Sequence, residues 1–273
     1  MTDKKLFEAL SGILAKVSED EYPEICEILH CSLDLDEKIV YGFEESIANQ
    51  LFHADETKVL PACVAEFLMG SYQEQLKKGS TDAACNIGAL YYTGRAGEQN
   101  YKKAVEYYTL AANGGCRQAQ ENLGYCYYYG RDIPVDYEKA FHYFALGAFD
   151  NSLCSLYKIG DMYRNGHYVP KNEVEAFRIY NRCANSLTTE TIPLVGADIM
   201  MRMGDCYFSG IGTDLDHKKA FGYYQQAEQM FFDRLENGDF MIRKCYDHVI
   251  TRQSEIRKKR ESTLPSFEWT RKK

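Results

Sequence analysis

The sequence predicts an all-α protein, an α-solenoid of stacked antiparallel helix pairs, on three observations. One pattern recurs four times at nearly constant spacing, each copy carries helical periodicity twice, and a single copy is too small to bury its own apolar face. Each repeat opens with an apolar residue and a glycine: Ile87-Gly88, Leu123-Gly124, Ile159-Gly160 and Met203-Gly204, the glycines 36, 36 and 44 residues apart. Three residues on comes a tyrosine (Tyr91, Tyr127, Tyr163, Tyr207), and three further a second glycine (Gly94, Gly130, Gly166, Gly210). Sixteen residues after the first glycine stands Ala104, Ala140, Ala176 or Ala220, preceded by Lys103, Lys139, Glu175 or Lys219.

Within a repeat, Ala83, Ile87 and Tyr91 recur every four residues, and Gly94 supplies the left-handed conformation that ends a helix. Ala104, Tyr107, Tyr108 and Ala111 then form a second stripe, stopped by Asn113-Gly114-Gly115. Small residues at fixed offsets predict close helix approach, with the tyrosines three after the glycine filling space between neighbouring pairs. The extra eight residues between the third and fourth repeats fall around Thr188 to Leu194, which predicts a tolerated surface extension.

The flanks follow the same phase less regularly. Leu60 to Lys78 falls where a second helix belongs, Gly79 matches Gly115, and residues 36 to 56 supply the partner helix. Lys4 to Val17 and Glu21 to Cys31 read as two further helices, with Ser18 a cap. Phe240 to Ile250 and Ile256 to Glu261 read as a closing pair, and Thr263 to Lys273 as a frayed end. The expected organisation is an acidic helical extension and degenerate cap repeat over 1–80, four repeats over 81–236 (81–116, 117–152, 153–196, 197–236), and C-terminal capping helices with a basic tail over 237–273.

Charge narrows the function. Residues 1–60 hold five Lys or Arg against fourteen Asp or Glu, residues 251–273 eight against three, and the chain carries a net −8. Phosphate recognition needs clustered cations, so nucleic-acid binding by the body is not expected. No apolar run is long enough to span a membrane, and Leu6 to Val17, broken by Glu8, lacks a small-residue cleavage site. The ten dispersed cysteines include no Cys-x-x-Cys pair, which points to reduced thiols in a cytoplasm. Cys26, His30 and Cys31 are the densest candidate metal ligands, but no fourth ligand stands nearby, and no metal or cofactor is expected. Nor is there a nucleophile elbow, a phosphate-cradling loop or a His-Glu-x-x-His, so no catalytic residue is assigned and the chain is read as a non-enzyme.

The repeat resembles the Sel-one-like repeat family, relatives of the tetratricopeptide repeats. Its second copy carries the family motif in Ala119, Leu123, Gly124, Tyr127, Gly130, Ile133, Asp136, Tyr137, Lys139 and Ala140. Departures are Ala96 for a glycine in the first copy, Asn172-Glu173 for Asp-Tyr in the third, and Ser155 and Ile199 for the leading alanine. The resemblance implies a right-handed superhelix whose first helices line a concave groove, and a scaffold that binds a protein or peptide partner. It further implies groove positions three before, one after and four after the motif glycine: Cys85, Ala89 and Tyr92; Glu121, Tyr125 and Tyr128; Tyr157, Asp161 and Arg164; Met201, Asp205 and Phe208. With three acids against one arginine along that stripe, the expected ligand is neutral to basic. Two alternatives stand beside this reading. One is the hydrolase or β-lactam-binding activity credited to cysteine-rich members, against which only Cys126 and Cys206 share a repeat phase. The other is attachment to an anionic surface through the basic tail around Arg257 to Arg260.

Overall fold

The computed structural model describes residues 3–33, 44–55, 58–236, 239 and 242–263, and among these it holds thirteen α-helices. They are α1 (Asp3–Leu14), α2 (Pro23–Ser32), α3 (Glu44–His53), α4 (Ala62–Lys77), α5 (Thr81–Thr93), α6 (Tyr101–Asn113), α7 (Arg117–Tyr129), α8 (Tyr137–Phe149), α9 (Leu153–Asn165), α10 (Glu173–Asn185), α11 (Ala197–Ser209), α12 (His217–Glu236) and α13 (Arg243–Thr263). The chain forms two compact units, residues 1–143 and 144–273. Each is built by packing consecutive helices, α3 to α7 in the first and α9 to α13 in the second, so the fold is an all-α helical solenoid.

The motif residues explain the helices one by one. Gly94, Gly130, Gly166 and Gly210 end the first helices at φ values of 72°, 65°, 72° and 70°, a region that costs a side-chain-bearing residue about 1 kcal/mol or more. Twelve residues after each motif glycine, Asn100, Asp136, Asn172 and Asp216 cap the second helices by accepting from the backbone N–H three residues on. Asn172 therefore does the work of the family aspartate, and that departure costs the third repeat nothing at this position.

The motif glycine is a close-approach residue. A Cβ at Gly88, Gly160 or Gly204 would stand 2.7, 2.6 and 2.6 Å from the rings of Tyr108, Tyr180 and Tyr224, which lie twenty residues downstream and are buried. These three rings fill the space between the two helices of their own repeats. The tyrosines three after the glycine, expected between neighbouring pairs, are half-buried. Tyr91, Tyr127 and Tyr207 stack on Tyr107, Tyr143 and Tyr223 of their own repeats at 5.8, 6.0 and 5.7 Å, and Tyr207 also meets Phe177 of the preceding repeat at 5.6 Å, between neighbouring pairs as expected. Lys103, Lys139 and Lys219 sit over the same rings at 4.9, 5.0 and 5.1 Å, which accounts for the lysine before each alanine. The third repeat has Ile179 and Glu175 at these two positions.

In the first unit, Leu10 of α1, Ile25 and Leu29 of α2, Ile47 and Leu51 of α3, and Leu68 and Tyr72 of α4 join Ile87 of α5 in one core. The expected early helices are present, and Gly79 matches Gly115 with φ values of 90° and 89°. Of the expected 36–56 helix, Glu44–His53 is helical, and the remainder, apart from Ala54 and Asp55, lies outside the described residues. Ser18 is not the cap of α2: that position is Tyr22, and Ser18 offers only its carbonyl, to the Tyr22 N–H at 2.9 Å. Arg95, just after the α5 cap, is 9% exposed and reaches back to α3 and the turn behind it. It donates to the carbonyls of Phe52 (2.6 Å), Ala54 (2.8 Å), Lys58 (3.1 Å) and Asp55 (3.3 Å). These include carbonyls a helix end leaves unpaired, and one cation serves them all. Arg95→Met is expected to cost roughly 3 kcal/mol, since several buried acceptors lose a charged donor together, and a urea titration measures it.

In the second unit, Thr188 and Thr191 bond reciprocally, and the insertion then tightens into a π-turn at Ile192–Gly196 that runs directly into α11 and packs on α12. The expected extension is therefore loop in its first half and helix in its second. The closing pair is a single helix, α13, because no Gly or Pro interrupts it and Val249, Gln253 and Ile256 share one buried face. Phe240 and residues 264–273 lie outside the described residues.

Candidate partner-binding surface

The first-helix stripe differs in kind between the two units. In the first, Tyr92, Glu121, Tyr125 and Tyr128 are half-buried, as are Tyr101 and Tyr137, while Tyr129 is 47% exposed. Tyr92 meets the edge of Tyr101, the first residue of α6, at 5.1 Å, and Tyr128 meets Tyr137, the first residue of α8, at 5.6 Å. Tyr128 also meets Tyr129 at 4.9 Å, and Tyr125 stacks on Tyr129 at 6.3 Å. The result is a continuous tyrosine surface where the first helices end and the second begin. Arg131 joins it with its guanidinium over the rings of Tyr101 (5.3 Å) and Tyr129 (5.4 Å). Of the other stripe positions, Cys85 is buried, with its thiol pushed up by burial and by the adjacent Cys116, and Ala89 is half-buried.

In the second unit the same phases hold ions. Asp161 is 8% exposed and accepts from Arg202 Nε at 2.6 Å, Arg202 Nη2 at 2.7 Å and the Tyr180 hydroxyl at 2.7 Å, with Lys158 at 3.5 Å. Burial alone would raise its pKa, but Arg202 overrides that, then Lys158 and Tyr180, and the carboxyl is held at about 2. One repeat later Asp205, 9% exposed, accepts from Tyr224 at 2.8 Å and Arg164 at 3.1 Å, and His248 Nε2 lies 2.8 Å away. Burial again opposes its ionisation, and His248, Arg164 and Tyr224 keep the carboxyl below its ordinary value. The ring of Tyr157 lies 4.4 Å under Arg202, and Phe208 is covered by Arg252 at 4.6 Å and Lys259 at 5.0 Å. Tyr157 and Phe208 are buried; Arg164 and Met201 remain half-buried.

The excess of acids along the stripe, from which a neutral to basic ligand was expected, is therefore not presented to solvent in the second unit: both aspartates are buried and matched by the protein's own cations. Sequence spacing did not find those partners, because Arg202 and His248 stand 41 and 43 residues from the acids they meet. It also missed Tyr101, Tyr129, Tyr137 and Arg131, which join the tyrosine surface from helix starts and a turn. Their signal was present, since Tyr101 and Tyr137 share the phase thirteen after the motif glycine.

Cys26 is buried while His30 and Cys31 are exposed. Among the described residues no three His, Cys, Asp or Glu side chains gather closely enough to hold a metal ion, and no helix is long and apolar enough to cross a membrane.

Fold and surface together define a helical-repeat solenoid with a tyrosine-lined face. The Sel1 repeat profile matches residues 81–116, 117–148, 155–186 and 197–230. The chain belongs to the Sel1 repeat family. It resembles the solved structure of a Sel1 repeat protein from Oxalobacter formigenes at 23% identity and a TM-score of 0.54, covering 69% of this chain and 70% of that one. It also resembles c5321, a protective antigen of uropathogenic Escherichia coli strains displaying an SLR fold, at 19% identity and a TM-score of 0.53. That match covers 78% of this chain but only 46% of c5321. At such identities the likeness is one of fold. No curated protein matches the chain.

Proposed function

We propose that the protein is a non-enzymatic interaction scaffold that binds a partner protein or peptide on its first-helix faces. The observation that carries this reading is the tyrosine surface of the first unit. Tyrosine brings large contact area with few rotamers to freeze, and natural interfaces concentrate it for that reason. Sel1 repeats as a class mediate protein–protein interaction, which supports the same reading. Tyr92, Tyr125 and Tyr128 are the anchors, with Glu121 at their edge. In the second unit Arg164 and Met201 remain available to a partner, while Tyr157, Asp161, Asp205 and Phe208 are buried behind them.

Tyr128→Ala is expected to weaken capture of the native partner by about 1–2 kcal/mol, the usual cost of truncating an aromatic anchor. Tyr127→Ala removes the stack on Tyr143 and the Lys139 contact, so it lowers the melting temperature while leaving the tyrosine surface in place. Affinity capture from the native lysate, with thermal melts of both variants, decides. A Tyr128→Ala protein that captures the wild-type set of partners with unchanged affinity, beside a Tyr127→Ala protein that melts normally but captures nothing, would place the contact face elsewhere.

A further inference from the structure

The charge preference of the tyrosine surface follows from Arg131. The residue follows the left-handed cap Gly130, and its N–H donates to the Cys126 carbonyl at 3.1 Å, which fixes where the side chain leaves the backbone. The guanidinium lies over Tyr101 and Tyr129, so it is held by rings from two successive repeats. Arg95 occupies the same repeat phase and contrasts with it at every point. Arg95 is buried and its donors are taken up by four backbone carbonyls. Arg131 is half-exposed, no carboxylate of the described residues lies within ion-pair distance of it, and its buried Nε has no hydrogen-bond partner. In a chain of net charge −8, this is a cation without an acid at the centre of an aromatic face.

An arginine stacked on aromatic rings is more weakly hydrated than an ammonium and already ordered, so a planar two-oxygen ligand gains two parallel hydrogen bonds with little further loss of rotamer freedom. One guanidinium matches one negative charge, which fits a carboxylate better than a phosphate dianion. We propose that the first unit recognises a peptide segment carrying a carboxylate, which docks on Arg131 while flanking apolar or aromatic residues cover Tyr125 and Tyr128. This rests on the scaffold reading above and names the ligand chemistry of that same surface. The acidic first sixty residues and the chain's net charge of −8 disfavour such a segment elsewhere on the first unit, so Arg131 sets its register.

The test is to pan a random-peptide phage library on the full-length protein and to synthesise the enriched peptides with free and amidated C-termini. Their affinities are then measured for the wild type and for the Arg131→Met, Arg131→Lys and Tyr128→Ala variants, each first checked by thermal melt. Enriched peptides are expected to share an Asp or Glu beside apolar or aromatic residues. Changing that acid to its amide should weaken wild-type binding roughly 10- to 100-fold, as losing a charged hydrogen-bonded pair does, and should change Arg131→Met binding little. Arg131→Lys should fall between. Should amidating the C-terminus produce the loss instead, the carboxylate recognised is a chain terminus. Peptides whose binding needs Tyr128 but is equal on wild type and Arg131→Met overturn the carboxylate proposal alone. A library that yields no peptide dependent on Tyr128 overturns the tyrosine-surface reading together with it.

Discussion

Arg202→Met is expected to destabilise the protein by about 3 kcal/mol at neutral pH, because it leaves Asp161 buried and charged with only Lys158 and Tyr180 to compensate. Both side chains of the pair are 11% exposed, so solvent cannot take over the lost donors. Asp161→Asn combined with Arg202→Met should recover part of the loss, since the double variant no longer buries an unmatched charge. The pH dependence follows from the depressed carboxyl. Its folded value of about 2 lies below an unfolded value near 3.9, so the pair's contribution is complete above roughly pH 5 and is lost as the pH falls through about 4 towards 2. Urea midpoints should therefore separate wild type from Arg202→Met widely at pH 7 and much less at pH 3. An equal separation at both would mean that Asp161 is not the group stabilised.

Gly204→Ala is the second large effect, expected to cost about 1–3 kcal/mol through overpacking. The new Cβ would stand 2.6 Å from two atoms of the Tyr224 ring, which is fully buried and tethered by its hydroxyl to Asp205 at 2.8 Å. The ring cannot slide aside without breaking that bond. Gly222→Ala in α12 serves as the opposite control, since an added Cβ there meets nothing within 4 Å. It should stabilise by up to about 1 kcal/mol through helix propensity alone. Chemical denaturation of the two variants measures the contrast; if both moved stability the same way, the close approach of Tyr224 to α11 would be wrong.

The fold was readable because its determinants are local and repeated. The left-handed caps at Gly94, Gly130, Gly166 and Gly210 are properties of a few consecutive residues, and four copies in phase reinforce one another. The flanks were less readable for the same reason: with one degenerate copy at each end, nothing corrected the division of α13 into two helices or the choice of Ser18 as a cap.

Tertiary structure alone decided how the stripe is used. Spacing places Asp161 and Asp205 on the same helix face as Tyr92, Tyr125 and Tyr128, and it treats all five as equally available. Whether a side chain on that face meets solvent depends on the helix laid against it, whose charges come from about forty residues away and outside the motif. Arg202 and His248 therefore turn the second unit's stripe inward. Arg131, released by a turn whose direction the Gly130 cap sets, leaves the first unit's stripe aromatic and cationic. The sequence by itself determined the repeat, its caps and its family, because short-range backbone preferences and periodic burial act within a single copy. Which acids are matched by cations is decided by charges such as Arg202 and His248, which stand about forty residues away and outside the motif.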